Sequence, residues 1–258
     1  MTDTSAQILG FGQGFLLHCF YIFVRISAMV SLLPAFGEQS VPVRVKLGIA
    51  IAFTIFCAPI LPLNLEIEPN FGQAVWTILA ESVNGLALGL GVRLFIMALQ
   101  TAGSIAGQST SLSQLLGGAT SEPTMAFGQV FVIGGIALAA MTGLHVKVTQ
   151  LTIMSYDFLP SGVFPAAGDL SRWGIGQISS AFSFAFQLSA PFVLFSMLYN
   201  LTLGAIGRAM PQLMVAFVGA PVITAGGLFL LFLVAPLVLS LWADELSNFL
   251  ANPFFTRN

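Results

Sequence analysis

The chain has 258 residues, of which 57% are hydrophobic and only 7% charged, with a formal net charge of -2 and a mean hydropathy of +0.94. A soluble domain carries about 25% charged residues, so this composition is that of an integral membrane protein and leaves no stretch for a sizeable soluble domain. No basic cluster is present, which removes any basis for nucleic-acid or polybasic lipid binding.

Apolar runs predict about six long hydrophobic helices in a single all-α membrane domain covering 1–258: Phe11 to Leu33, Val43 to Leu63, Ala74 to Thr101, Met125 to Tyr156, Ile175 to Tyr199 and Leu213 to Trp242. No Lys or Arg precedes Arg25, so the first run lacks the basic flank of a secretory signal and is expected to be retained. Breaks between runs carry Pro and Gly at Pro34 to Pro42, Pro62 to Pro69, Pro160 to Gly168 and Arg208 to Pro211. Arg44, Lys46 and Arg208 then fall on one side of the membrane and Arg172 and Arg257 on the other, which places the first and fifth connections in the cytoplasm. Cys19 and Cys57 lie inside apolar runs, where a thiol behaves as a small hydrophobe.

Arg25 sits in the first run, where a central Arg costs about 2.5 to 3.5 kcal/mol on insertion scales. It either meets a protein partner, for which Glu81 of the third run is the candidate, or snorkels to the headgroups, as does Arg93. Arg93 lies about 18 Å along the third helix from Glu81 and about 120° around it, so those two are not an intrahelical pair. If Arg25 and Glu81 pair, exchanging the two charges is expected to restore what either single replacement loses. Gly85 and Gly89, and Gly103 and Gly107, have the small-xxx-small spacing that lets helix backbones approach; among 26 glycines this spacing indicates generic packing. His145 and Lys147 have no paired relay in the sequence and read as structural residues.

Between the third and fourth runs lies GQSTSLSQLLGGATSEPT, Gly107 to Thr124. Gly107, Gly117 and Gly118 permit tight backbone paths, and Gln108, Ser109, Thr110, Ser111, Ser113 and Gln114 offer neutral donors and acceptors, followed by Glu122 and Pro123. Polar irregular backbone at membrane depth is tolerated only where it is buried in protein or lines a water-accessible cavity. Two readings fit: a seal across a pore, and an exposed connection. No nucleophile elbow, HExxH or phosphate-binding GxxxxGK[ST] motif occurs, and no cofactor or metal site is expected; catalysis is not expected.

Four stretches taken together carry a resemblance: Arg25 to Ala52 (RISAMVSLLPAFGEQSVPVRVKLGIAIA), Ala102 to Gln129, Gly143 to Gly162 (GLHVKVTQLTIMSYDFLPSG) and Gly207 to Pro221 (GRAMPQLMVAFVGAP). They resemble the FliR family, which has flagellar and injectisome members, over essentially the full length. The resemblance implies a non-enzymatic subunit of a type III secretion export gate in the bacterial inner membrane, at the flagellum basal body. It implies assembly with FliP-like and FliQ-like chains into a helical, conical structure around a channel for unfolded exported proteins, contact with an FlhB-like protein, and an external energy source. It further implies a FliP-like part at about 1–172 and a FliQ-like hairpin with tail at about 173–258, whose tip carries Arg208, Pro211 and Gln212. The family's plug loop maps onto Gly107 to Pro123. Met214 and Ala216 depart from the family's usual small polar and bulky residues at the tip. An injectisome subunit is the alternative, and a small secondary transporter using Arg25, Glu81, His145 and Lys147 is the reading from another class, although no repeat relates the two halves.

Overall fold

A computed structural model describes residues 2–38, 40–62, 70–110, 125–210 and 215–254. Among them are seven helices and no strand: α1 (Thr2–Val30), α2 (Val43–Cys57), α3 (Phe71–Ser109), α4 (Met125–Met141), α5 (Leu144–Phe158), α6 (Ala167–Ala209) and α7 (Val215–Ala251). The chain is an all-α integral membrane protein. Four helices are long and apolar enough to cross a bilayer, within Gly12–Val30, Phe71–Ser109, Ala167–Ala209 and Pro221–Ala251, and α4 with α5 make a fifth if that bent pair is one span.

Several boundaries differ from the sequence expectation. The run Met125 to Tyr156, expected as one helix, bends by 74° between α4 and α5. Gly143 makes this bend in the left-handed region, at φ 80°, which costs a glycine little. The second run stops at Cys57, so α2 has 15 residues and a length of about 22 Å, short of the roughly 30 Å hydrocarbon core. Pro59 has no N–H to continue the ladder. By contrast α3 runs 39 residues and α6 runs 43, each beyond its expected end. Gly107, Gln108 and Ser109, expected in the irregular polar stretch, are the last turn of α3.

The chain packs as two compact units. The first comprises Met1–Arg93, Gly143–Gly176 and Ser247–Asn258. Its core gathers Ile22, Ile26, Met29 and Leu33 of the first helix and its following turn with Ala80, Leu88 and Val92 of α3 and Val148 and Leu151 of α5. Gly85 and Gly89 bring α3 onto α1 backbone to backbone: a Cβ at Gly85 would collide with the Arg25 carbonyl oxygen, and one at Gly89 would lie 2.8 Å from that of Met29. After α1, Ala35 has φ 68°, Gly37 donates to the Leu33 carbonyl at 2.7 Å, and Lys46 of α2 donates to the Gly37 carbonyl at 2.9 Å. Replacing Gly85 by Val is expected to lose folded protein, because rigid backbone rather than a yielding side chain fills the space. Gly176, with nothing near it, should accept Ala with little change. The recovery of monodisperse protein in mild detergent checks both.

The second unit comprises Leu94–Thr142 and Gln177–Leu246. Here Gly103 of α3 meets the backbone of Gly128 of α4, and Phe127 and Phe131 pack edge-on against Phe192 of α6, with centroids 5.7 and 6.2 Å away. Trp242 of α7 is fully buried and donates its indole N–H to the Phe95 carbonyl at 2.9 Å. Helices α6 and α7 form an antiparallel hairpin: the Tyr199 hydroxyl donates to the Gly219 carbonyl at 2.5 Å, while farther from the tip Gly226 faces the Phe195 ring.

Candidate functional site

Arg25 and Glu81, both fully buried, form an ion pair at 2.6 Å between α1 and α3 in the first unit. The pair is enclosed by hydrogen bonds that use the geometry of both groups. From Arg25, Nε donates to Glu81 Oε2, Nη1 to Ser155 Oγ at 3.0 Å and Nη2 to the Leu159 carbonyl at 2.9 Å. The guanidinium also lies over the Tyr156 ring, 3.7 Å from its centroid, where the ring's negative face attracts a cation. Glu81 in turn accepts from Ser161 Oγ at 2.8 Å and the Gly162 N–H at 3.1 Å on one oxygen, and from the Tyr156 hydroxyl at 3.4 Å on the other.

The turn after α5 supplies half of this shell. Leu159 ends the helix, Pro160 follows, and Gly162 at φ 73° turns its N–H onto the carboxylate. A buried ion pair repays its desolvation only if the remaining donors and acceptors are also satisfied, and here five protein groups beyond the partner charge do so. The arrangement binds α1, α3 and α5 together. Sequence reasoning proposed the two charges and missed Ser155, Tyr156, Leu159, Ser161 and Gly162. The signal for them was the stretch SYDFLPSG, in which the hydroxyls of Ser155, Tyr156 and Ser161 lie on either side of Pro160.

Arg93 pairs with Glu38 at 2.7 Å, each side chain 29% exposed, rather than with a charge on its own helix. Lys147 donates to Ser247 Oγ at 2.7 Å, and His145 is exposed in the first turn of α5, so the charges of the transporter reading are not gathered at one place in the first unit. Among the described residues no group of His, Cys, Asp and Glu could hold a metal ion.

In the second unit the polar stretch begins from a fixed point. Thr110 is fully buried, and its hydroxyl donates to the carbonyls of Ala106 at 3.0 Å and Gly107 at 3.3 Å, closing the end of α3. Its side chain fills the space a Cβ would need at Gly227 of α7, with Thr110 Cγ2 only 2.6 Å from that position. Ser111, Ser113, Gln114, Gly117, Gly118, Glu122 and Pro123 lie outside the described residues, as do Pro211 and Gln212 of the hairpin tip; Arg208 is exposed in the last turn of α6.

Residues 16–249 match the family described as bacterial export proteins, family 1. The flagellar biosynthetic protein FliR of Caulobacter vibrioides is 30% identical, over 87% of this chain and 90% of its own length. The protein of that name from Pectobacterium carotovorum is 32% identical over 85% of this chain and 84% of its own, and that of Bacillus subtilis 30% identical over 89% and 93%. With the match running from α1 to the end of α7 and the relatives aligned over most of both chains, this protein belongs to the FliR family of bacterial export proteins.

Proposed function

We propose that this chain is a non-enzymatic subunit of the flagellar export apparatus in the bacterial inner membrane. In this reading it assembles with FliP-like and FliQ-like chains, meets an FlhB-like protein, and helps to line the channel through which unfolded flagellar proteins leave the cell. The observation that carries the reading is the family match over residues 16–249, together with relatives of near-equal length named for flagellar biosynthesis. Two structural features support assembly. Large apolar side chains stand exposed along α6 and α7, among them Phe182, Phe186, Leu194, Met197, Leu201, Phe229, Phe232 and Leu237, and α3 is about 58 Å long at about 1.5 Å per residue, far more than a bilayer requires. Such surface suits neighbouring subunits as well as lipid.

Within this reading the stretch Gly107 to Pro123 is the seal of the resting channel, held at its start by Thr110 against Gly227, and the α6–α7 hairpin is the FliQ-like part, whose tip at Arg208, Pro211 and Gln212 meets neighbours. The division at about residue 172 belongs to the same proposal. Native mass spectrometry of the tagged chain, expressed with its genomic neighbours and extracted in mild detergent, tests it. A defined hetero-oligomer containing FliP-like and FliQ-like chains is the expected result. A stable monomer or homodimer while those neighbours are expressed would overturn it.

A further inference from the structure

Four helix ends meet at one end of the first unit: the start of α3 at Phe71, the end of α5 at Phe158, the start of α6 at Ala167 and the end of α7 at Ala251. Aromatic contacts tie them together. The Trp76 ring lies edge-on to Phe164, just ahead of α6, with centroids 4.6 Å apart. Phe254, just past α7, lies 5.2 Å from Phe158 and 6.1 Å from Trp173, whose indole N–H donates to the Pro253 carbonyl at 2.9 Å. Two of the chain's three tryptophans thus stand at this end, together with Asp169 and Arg172, an ion pair whose side chains are 72% and 82% exposed. Each helix end leaves about four backbone groups without an intrahelical partner, and in hydrocarbon every such group must be satisfied by protein. An exposed ion pair is costly there as well. Bulk water does not suit this end either, since Phe71, Trp76 and Ile175 are 83%, 57% and 67% exposed.

We propose that this end of the first unit is a lipid-interaction surface, seated in the headgroup layer of the bilayer with Trp76 as its anchor. Tryptophan concentrates at that depth because its ring is apolar while its N–H needs a polar partner. The same layer supplies water, phosphate and ammonium groups for the helix ends and for Asp169 and Arg172. A neighbouring subunit is the competing occupant, but protein interfaces are depleted of charge at their cores, whereas here the exposed ion pair and the exposed aromatics share one end. The placement also sets the depth of the buried pair. Glu81 lies five residues beyond Trp76, at most about 7.5 Å deeper along α3. Arg25 and Glu81 therefore sit just inside the headgroup layer and not at the bilayer centre, where a charge is most costly.

Fluorescence quenching by brominated lipids tests the depth. The full chain, purified with the subunits that accompany it, is reconstituted in phosphatidylcholine vesicles carrying bromine either near the headgroup or near the chain ends. Subtracting the emission of the Trp76→Phe protein from that of wild type leaves the signal of Trp76; because Trp76 is exposed, this replacement keeps an aromatic ring against Phe164 and disturbs no core. Bromine near the headgroup is expected to quench that signal at least about twofold more than bromine near the chain ends. Quenching by the deep bromines that is as strong or stronger would place Trp76 in hydrocarbon, and quenching by neither would show that a subunit or bulk water covers it; either result would overturn the proposal. The readout is the same whichever subunits accompany the chain, so its failure is distinct from failure of the export reading.

Discussion

Replacing Arg25 by Met is expected to abolish recovery of folded protein, and exchanging the charges, Arg25→Glu with Glu81→Arg, is not expected to rescue it. Met leaves Glu81 ionised and buried without its counter-charge, and breaking a buried pair in this way costs about 3 to 5 kcal/mol, a large share of the roughly 5 to 15 kcal/mol by which native domains are stable. The failure of the exchange follows from the surrounding backbone. The Leu159 carbonyl can only accept and the Gly162 N–H can only donate. A carboxylate at 25 would therefore face a carbonyl, and a guanidinium at 81 would face an N–H.

Charge complementarity alone, which is all the sequence offers, predicts recovery; the fixed polarity of the turn after α5 reverses that expectation. Arg25→Lys should fall between wild type and Met, since one ammonium keeps the charge but cannot reach Glu81, Ser155 and Leu159 in the fork that a guanidinium presents. Removing both charges with Met at 25 and 81 should recover part of the loss, because no unpaired charge then remains, although Ser161 and Gly162 lose their acceptor. The yield of monodisperse protein in detergent ranks the variants, and thermal midpoints order those that are recovered. A charge-exchanged protein as stable as wild type would show that the turn does not impose this polarity.

What could be read from the sequence followed from how costly each residue is in an apolar setting. An Arg in an apolar run demands a partner, so Arg25 and Glu81 could be matched by their charges and their apolar surroundings alone. The neutral residues around them impose no such demand: Ser155 and Ser161 would be equally at home on a wet surface, and only the φ of Gly162 brings its N–H to Glu81. Hydropathy located the helices but not their ends or bends. Past Gly143 the chain becomes more polar, with His145, Lys147, Thr149 and Gln150, but a hydropathy profile registers that change of polarity and not the 74° change of direction. The polar and Gly-rich end of α3 misled in the other direction. Gly and Ser lower helix propensity by up to about 1 kcal/mol each, but the close approach of Gly103 to Gly128 and of Thr110 to Gly227 gives that turn tertiary support that propensity does not contain.

On the proposed seal reading, deleting residues 111–117 is expected to leave the assembled complex intact and make it leak ions. The seal reading first suggests a deletion beginning at Gly107, but Gly107, Gln108 and Ser109 are helical and Thr110 is packed against Gly227. A deletion that included them would unwind the last turn of α3 and empty the space beside α7, so a leak would report damaged packing as readily as a lost seal. Starting beyond Thr110 keeps the hydroxyl bonds to Ala106 and Gly107 and isolates the polar stretch. The variant complex, purified at wild-type subunit ratio and reconstituted in vesicles, should pass potassium well above the level of wild-type complex. Gly227→Val supplies the contrasting perturbation: it leaves the polar stretch whole but forces Thr110 to move, and should leak less than the deletion while lowering the thermal midpoint more. Loss of the seal itself requires that order. An assembled deletion complex as tight as wild type would remove the seal role from this stretch and leave it as a connection between α3 and α4.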